Sequence, residues 1–365
     1  MRIGVDLHVL QGMYQGSKTY LESIYKEILK LNSDHNFVFY FDKKYPVPEF
    51  WNSDHEIVLT NGGSVRRLAF EFDRSIKKNK IDAFHSQYIS PIGSGFKKFV
   101  TIHDVLFETH PQFFEKKFVI RSKILVRYSA VKADHIFTVS EYSKKSMMSL
   151  YGVDQNRITV TYNGVEGNSS FCDINAAKSE IKRDYGLDDF YLTVGRLEPR
   201  KNHITLLRAH RLLLDKGISL PKLVIIGQRD FRYSEVFEFI KKANLSDNVI
   251  ILETINDTLL KKFYAAADFF VYPSFAEGFG IPPMEAIASG KPVITSGTTS
   301  MKELYAESAL LVDPNDCETI AEAIYRIVNE SCLREKIVKN GEILIKQFSW
   351  KNSAIKMLKV FNDCA

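Results

Sequence analysis

Two glutamates, Glu277 and Glu285, stand eight residues apart in the run VYPSFAEGFGIPPMEAIASGKPVIT, residues 271–295. The apolar stretch 269–272 reads as a buried parallel strand, and Pro282-Pro283 marks the first turn of a helix that closes at Gly290. The loop between them holds Glu277, and the helix carries Glu285. Both carboxylates are therefore predicted at the carboxyl edge of a sheet, where open α/β sheets bind their ligands. Gly278 and Gly280 let a ligand come close to the backbone and offer N–H groups to oxygen atoms. Two acceptor-only carboxylates beside several backbone donors suit a ligand rich in hydroxyls, such as a sugar or a ribose.

Cations and a histidine extend the set. Arg196 and Lys201 follow a strand ending in Gly195 and open a helix, so a fork of donors, a point charge and unpaired N–H groups converge. That is a diphosphate site in physical terms. The plainer alternative is a pair of surface cations, and Arg200 between them reads as a bystander. His103 ends a predicted strand in the first half of the chain; a lone histidine is more often a satisfied structural residue than a functional one. The first βα loop, residues 7–16, carries Gly12 and Gly16 before a helix capped by Ser17, where glycine lets phosphates and an acceptor approach the helix N-terminus. No D-x-D motif occurs in the chain, and no metal is expected.

Regularly alternating elements must position these groups. Strand-like runs at 2–6, 37–41, 56–60, 82–85, 99–103 and 135–139, separated by helical stretches such as 17–31 and 116–131, predict a parallel sheet wrapped by helices. After 158–162 the alternation restarts at 191–195, 223–227, 249–252, 269–272, 292–295 and 309–312. The expected fold class is α/β, with two Rossmann-like parallel-sheet domains facing a central cleft. A chain of 365 residues exceeds the usual size of one core. The junction is expected at 163–165, followed by a linker to residue 170. Domain bounds of 1–165 and 166–350 follow, with a terminal segment 351–365 whose amphipathic part is 351–361.

In this order the motifs resemble those of a known family. The run 271–295 is similar to the E-x7-E signature of the retaining glycosyltransferases of the large family (glycosyltransferase family 4, group 1) typified by sucrose synthase and bacterial mannosyltransferases of surface-polysaccharide assembly. YLTVGRLEPRKNHITLLRAH resembles its strand–GRL–xxx–KN–helix element. FVTIHDV carries its His-Asp pair at 103 and 104, and ADHIFTVSEYSKK resembles its D-x-I-x-x-V-S-E-x-S-K segment. ALLVDPNDCETIAEAI and FSWKNSAIKML resemble its closing strand, helices and Trp segment. The first loop, LHVLQGMYQGSKTY, departs from the family's G-x-G form.

The resemblance implies the GT-B fold, with the C-terminal helix crossing back onto the first domain. It implies metal-independent, retaining transfer of a sugar from a nucleoside-diphosphate sugar, GDP- or UDP-linked with GDP-mannose among them. The acceptor would be a glycan or lipid-linked glycan of bacterial polysaccharide or O-antigen biosynthesis. No cofactor is implied beyond the nucleotide-sugar co-substrate. Arg196 and Lys201 are assigned to the diphosphate and the departing phosphate, and Glu285 to ribose hydroxyls. Glu277 is assigned to the donor sugar, with the N–H groups of Gly278, Phe279 and Gly280 around its oxygens. His103 would face the cleft near sugar and acceptor, and Gly16 would approach the donor. Front-side displacement, in which the leaving phosphate helps deprotonate the acceptor, is the expected mechanism. Three other readings stand beside this one: a two-carboxylate glycosidase, which would have no use for Arg196 and Lys201; a nucleotide-sugar epimerase; and a non-catalytic subunit that binds sugar nucleotide for a transferase complex.

Composition narrows the setting. Hydrophobic residues at 45% and charged residues at 25% are ordinary globular values. No apolar run approaches membrane-spanning length, and the start of the chain reads directly into a strand, so neither a transmembrane helix nor a signal peptide is expected. Cys172, Cys317, Cys332 and Cys364 show no ligand spacing or disulfide framework, which suits a reducing, cytoplasmic location. The net charge of +5 belongs to the first half: residues 1–165 hold 23 Lys or Arg against 17 Asp or Glu, the rest 26 against 27. Arg66, Arg67, Arg74, Lys77, Lys78 and Lys80 form one cluster. Lys116, Lys117, Arg121, Lys123 and Arg127, beside Phe113, Phe114 and Phe118, form another. Such a surface suits anionic lipid headgroups on the inner face of the membrane; the alternative is a solvated helix face. No nucleic-acid motif is present.

Overall fold

Apolar strands buried on both faces set the architecture. The computed structural model describes residues 1–12, 16–31, 33–52, 55–61, 67–165 and 173–365. Arg66, Cys172, loop residues 13–15 and the linker stretch 166–170 lie outside these. The chain forms two compact units, one comprising Met1–Thr109, Lys116–Gly164 and Trp350–Ala365, the other His110–Glu115 and Val165–Ser349.

Among the described residues the first unit has seven strands: β1 (Arg2–Asp6), β2 (Asn36–Asp42), β3 (Glu56–Thr60), β4 (Ala83–Gln87), β5 (Lys97–Thr101), β6 (His135–Thr138) and β7 (Ile158–Val160). All pair in parallel in the order β3-β2-β1-β4-β5-β6-β7. In β1, Gly4 sits in register with Val38 and Phe84; a Cβ there would lie 2.6 Å from the Phe84 ring, so only glycine lets that ring lie across the strand. The helix Trp350–Asp363 packs beside Gly16–Lys30. It inserts the fully buried Phe361 among Phe99, Phe137 and Phe37, with ring centroids at 4.9, 5.8 and 6.3 Å.

The second unit repeats the scheme with β8 (Phe190–Val194), β9 (Lys222–Ile226), β10 (Val249–Leu252), β11 (Phe270–Tyr272), β12 (Val293–Ser296) and β13 (Leu310–Val312), all parallel, in the order β10-β9-β8-β11-β12-β13. Chain direction across each sheet reverses once, between β1 and β4 and between β8 and β11. At such a switch point the two connecting segments leave to opposite faces and open a crevice at the carboxyl ends of the strands.

Every predicted strand is present, shifted by at most two residues at an end. Two shifts correct the site expectations. β5 stops at Thr101, so His103 does not end a strand but lies in the irregular segment that follows it. The first long helix begins at Gly16, so Ser17 is inside it and is not its cap.

Candidate active site

The second unit's switch point lies between the carboxyl ends of β8 and β11, and the loops that leave them carry the residues singled out above. After β8, Gly195 approaches the neighbouring loop so closely that a Cβ on Gly227 would fall 1.9 Å from its carbonyl oxygen. The chain then passes Arg196, makes a short turn at Pro199–Lys201, and enters the helix His203–Asp215 through Asn202. Asn202 adopts the left-handed conformation (φ 60°) that Asn tolerates better than most residues. Its buried amide donates to Pro273 O at 2.9 Å and Pro314 O at 2.7 Å, and its Oδ1 accepts from Thr205 at 2.6 Å. One side chain thus binds the β8 loop to the segments that follow β11 and β13.

After β11 the loop 273–280 folds around Glu277. The Glu277 N–H donates to Thr299 Oγ1 (3.0 Å), and its carbonyl accepts from Ser300 Oγ (2.8 Å). Gly280 then takes φ 81° before the helix Ile281–Ala288. A Cβ on Gly280 would lie 2.5 Å from Met301 Sδ, which would have to move, and the left-handed backbone favours glycine whatever the space.

The Glu277 carboxylate is enclosed by donors. Its Oε1 accepts from Lys201 Nζ (2.8 Å), Ser274 Oγ (2.6 Å) and Tyr272 Oη (2.9 Å), and its Oε2 meets Arg200 at 2.8 Å. Arg200 also holds Glu198 at 2.7 Å, and Lys201 donates to the Tyr272 hydroxyl. Burial alone would raise the Glu277 pKa, but the charges of Arg200 and Lys201, with hydrogen bonds from Lys201 and Ser274, outweigh it and hold the group down at about 2. Lys201 is depressed below the ordinary lysine value by burial and by Arg200, against the opposing pull of Glu277 and Glu198. The result is a fixed, ionised carboxylate that locks two cations at the strand ends.

Glu285 is different. Burial lifts it to about 6, against a hydrogen bond from Tyr264 Oη at 2.8 Å. The Tyr305 hydroxyl, raised by burial and by both carboxylates, lies where the fields of Glu277 and Glu285 overlap, and it donates to Gly280 O at 2.6 Å. Arg196 is half-exposed and pairs with Asp230 at 2.6 Å. Gly278 is buried, and the Phe279 ring turns into the unit against Phe348 at 5.9 Å.

The second unit therefore gathers Arg196, Lys201, Glu277, Gly278, Phe279, Gly280 and Glu285. His103 and Gly16 belong to the first. There His103 is buried, and burial pushes its pKa down to about 4, leaving a neutral imidazole edge-on to Tyr20 (5.0 Å) and tilted to Tyr88 (5.7 Å). Gly16 opens the helix that carries Tyr20. Arg200, expected as a bystander, is instead a direct partner of Glu277; nothing in its spacing separates it from a solvated arginine. Among the described residues no group of three or more His, Cys, Asp or Glu side chains could hold a metal ion.

Two doubly wound parallel sheets, each with a switch-point crevice at the carboxyl ends of its strands, define an α/β fold of two Rossmann-like units. The sequence profile of the family described as "Glycosyl transferases group 1" matches residues 177–343, and that of "Glycosyltransferase Family 4" matches residues 16–167. The chain belongs to these glycosyltransferases, and its fold is of the GT-B class. It is similar to O-antigen chain mannosyltransferase B of Escherichia coli, with 31% identity over 265 residues, 72% of this chain and 69% of that protein. In three dimensions it resembles sucrose-phosphate synthase from Thermosynechococcus elongatus, with a TM-score of 0.81 at 19% identity, covering 100% and 98% of the two chains. It also resembles Anabaena HepE crystallised with UDP-glucose, with a TM-score of 0.75 at 18% identity, covering 100% of each chain.

Proposed function

We propose that this glycosyltransferase is a retaining, metal-independent enzyme. It moves a hexose, with mannose the first to test, from a nucleoside diphosphate to a glycan or lipid-linked glycan acceptor of surface-polysaccharide assembly. The observation that carries this reading is the ionised Glu277 held by Lys201 and Arg200 at the strand ends. A departing diphosphate develops negative charge, and prepositioned cations in a partly dry site stabilise it without reorganising. Arg196 would join them: its exposed pair with Asp230 is worth only about 0–1 kcal/mol, so phosphate oxygens can take Asp230's place. The GDP- or UDP-sugar reading draws on this cation set, and mannose on the name of the E. coli relative.

In this reading the bond from the anomeric carbon to phosphate breaks with its electron pair going to the diphosphate, while the acceptor oxygen bonds the same face of that carbon. The acceptor proton passes to the leaving phosphate oxygen. Lys201 and Arg196 neutralise that phosphate, Glu285 accepts ribose hydroxyls, and the N–H groups of Gly278, Phe279 and Gly280 meet sugar or phosphate oxygens beside Glu277. His103, neutral, faces sugar and acceptor, and Gly16 leaves room at its helix N-terminus for the donor. A glycosidase role fits less well, because Glu277, with both oxygens engaged by four donors, is built as an anchor rather than an attacking group.

The test is a thermal-shift panel of UDP, GDP, ADP and their sugars with and without EDTA, followed by proton NMR of the anomeric centre of the product. A selective, EDTA-insensitive rise in melting temperature with one nucleotide is expected, and a product of retained configuration. An inverted product sinks the retaining mechanism; loss of transfer in EDTA that manganese restores sinks metal independence.

A further inference from the structure

The six residues His110–Glu115 belong to the second unit, although Thr109 and Lys116 on either side belong to the first. Pro111 stiffens the start of a single helical turn, Pro111–Phe113. That turn is closed by Phe113 N–H to His110 O and Phe114 N–H to Pro111 O, both at 3.2 Å. None of the six residues is buried, so a place in the hydrophobic core does not account for the excursion. Its rings are stacked instead. Phe113 lies 17° from the plane of His110, with centroids 6.4 Å apart, and 12° from that of Phe275, at 5.1 Å. The second pair has the geometry of an offset aromatic stack.

Phe275 leads into the carboxylate anchor. Its N–H donates to Arg200 O at 2.9 Å, and its carbonyl accepts from Thr298 Oγ1 at 3.0 Å. Arg200 in turn donates to Ala276 O at 2.9 Å and meets Glu277 Oε2 at 2.8 Å. The backbone of Phe275 is therefore held on both sides, while its ring is half-buried and rests on Phe113. At the far end of the stack, burial and the charge of Arg200 hold His110 below the ordinary histidine value, so the segment reaches the surroundings of the Arg200 guanidinium.

We infer that Phe113 is a positioning residue for sugar transfer: by stacking on Phe275 it fixes the loop 273–280, and with it the Arg200–Glu277 pair, in one arrangement. A half-buried ring on a loop has several rotamers open to it, and a flat partner removes that freedom. Geometry matters here because a displacement of about 1 Å at a catalytic constellation can cost about 100-fold in rate. The kinetic part of this inference rests on the reading of Glu277 as the anchor of the donor site; the fixing of the loop does not.

The experiment compares the parent, Phe113→Ala and Phe113→Tyr in the full chain. Amide hydrogen exchange reads the loop, since the Phe275 and Glu277 N–H groups are both bonded in it. Release of GDP from GDP-mannose and of UDP from UDP-glucose, with water as acceptor, reads turnover. Phe113→Ala should raise exchange at 273–280 roughly 5-fold and leave the helix Cys317–Asn329 unchanged. It should lower kcat about 10-fold with KM within about 2-fold. Phe113→Tyr, which keeps the flat ring, should restore both, and Gln112→Ala, exposed in the same turn, should match the parent. Phe113→Leu, apolar without a flat face, carries the test if the alanine variant does not fold, with the same directions expected. Unchanged exchange at 273–280 overturns the inference, as does an unchanged kcat. A uniform rise in exchange across the second unit assigns Phe113 to general stability and overturns it too. If the parent releases neither nucleotide, it is the donor reading that fails, and the exchange alone decides whether Phe113 fixes the loop.

Discussion

A carboxylate that accepts four donors is an anchor, and the consequences of removing it follow from what it holds. Glu277→Ala leaves Lys201 and Arg200 buried without their common partner, and Lys201→Ala removes a cation from the proposed phosphate site. Each is expected to lower turnover by at least ~100-fold, the scale of losing one well-placed electrostatic group; near-normal rates in both would end the assignment. Because the folded Glu277 pKa, about 2, lies below the ordinary 4.5, its contribution to stability is complete above about pH 4.5. It is lost as pH falls toward 2. Melting curves across that interval should show an acid-sensitive component in the parent that Glu277→Gln lacks. Glu285 has the opposite sign. Its folded pKa of about 6 lies above the ordinary value, so ionising it costs stability as pH rises from about 4.5 to 6. In the proposed role Glu285 accepts ribose hydroxyls, and the carboxylate is a stronger acceptor than the neutral acid, so nucleotide affinity should rise over the same interval. Titration calorimetry that finds the same pH slope in Glu285→Gln would rule this out.

At the scale of elements, the loops after β8, β11 and β13 are bound to one another by Asn202. Asn202→Ala forces φ 60° on a residue that resists it and removes three buried hydrogen bonds. A loss of roughly 3 kcal/mol is expected in urea unfolding. Asn202→Gly keeps the conformation and should be milder by about 1 kcal/mol; equal losses would mean that conformation contributes nothing. The strands were legible in the sequence because buried parallel strands are short runs of Val, Ile, Phe and Tyr ended by glycine or a polar turn, as at YLTVG and LVIIG. Glu277, Lys201 and Arg196 were legible because each follows such a run. Arg200, Asn202, Tyr272 and Ser274 were not. The contacts of Arg200 and Asn202, and those of Tyr272 and Ser274 with the β8 loop, depend on β8 lying beside β11, a pairing between strands about 80 residues apart in the chain that no local pattern encodes. Tyr272 and Ser274 reach Glu277 within their own segment. His103 was found but misplaced, because the apolar run continues through Val100 and Ile102 past the last paired residue of β5.

At the scale of the molecule, the chain does not divide at one point. The first unit takes its last helix from the far end of the sequence, and Phe361 fills a space between three phenylalanines of the sheet. Phe361→Ala is expected to cost about 3–5 kcal/mol of that unit's stability, read as an earlier urea transition of tryptophan fluorescence, to which Trp51 and Trp350 of the first unit contribute. An unchanged transition would show that the helix is dispensable to the core. The second unit borrows in turn: His110–Glu115 belongs to it although the residues on either side belong to the first. There Phe113 stacks on Phe275, two residues before Glu277, with ring centroids at 5.1 Å and planes 12° apart. This interleaving bears on how such enzymes can exchange parts. A hybrid of two relatives joined at a single crossover near residue 164 would inherit a first unit with a foreign closing helix and a second with a foreign Phe113. A workable chimera has to exchange 165–349 as an internal cassette together with the six residues 110–115, so the second unit is carried over intact by two linked replacements rather than by one simple fusion.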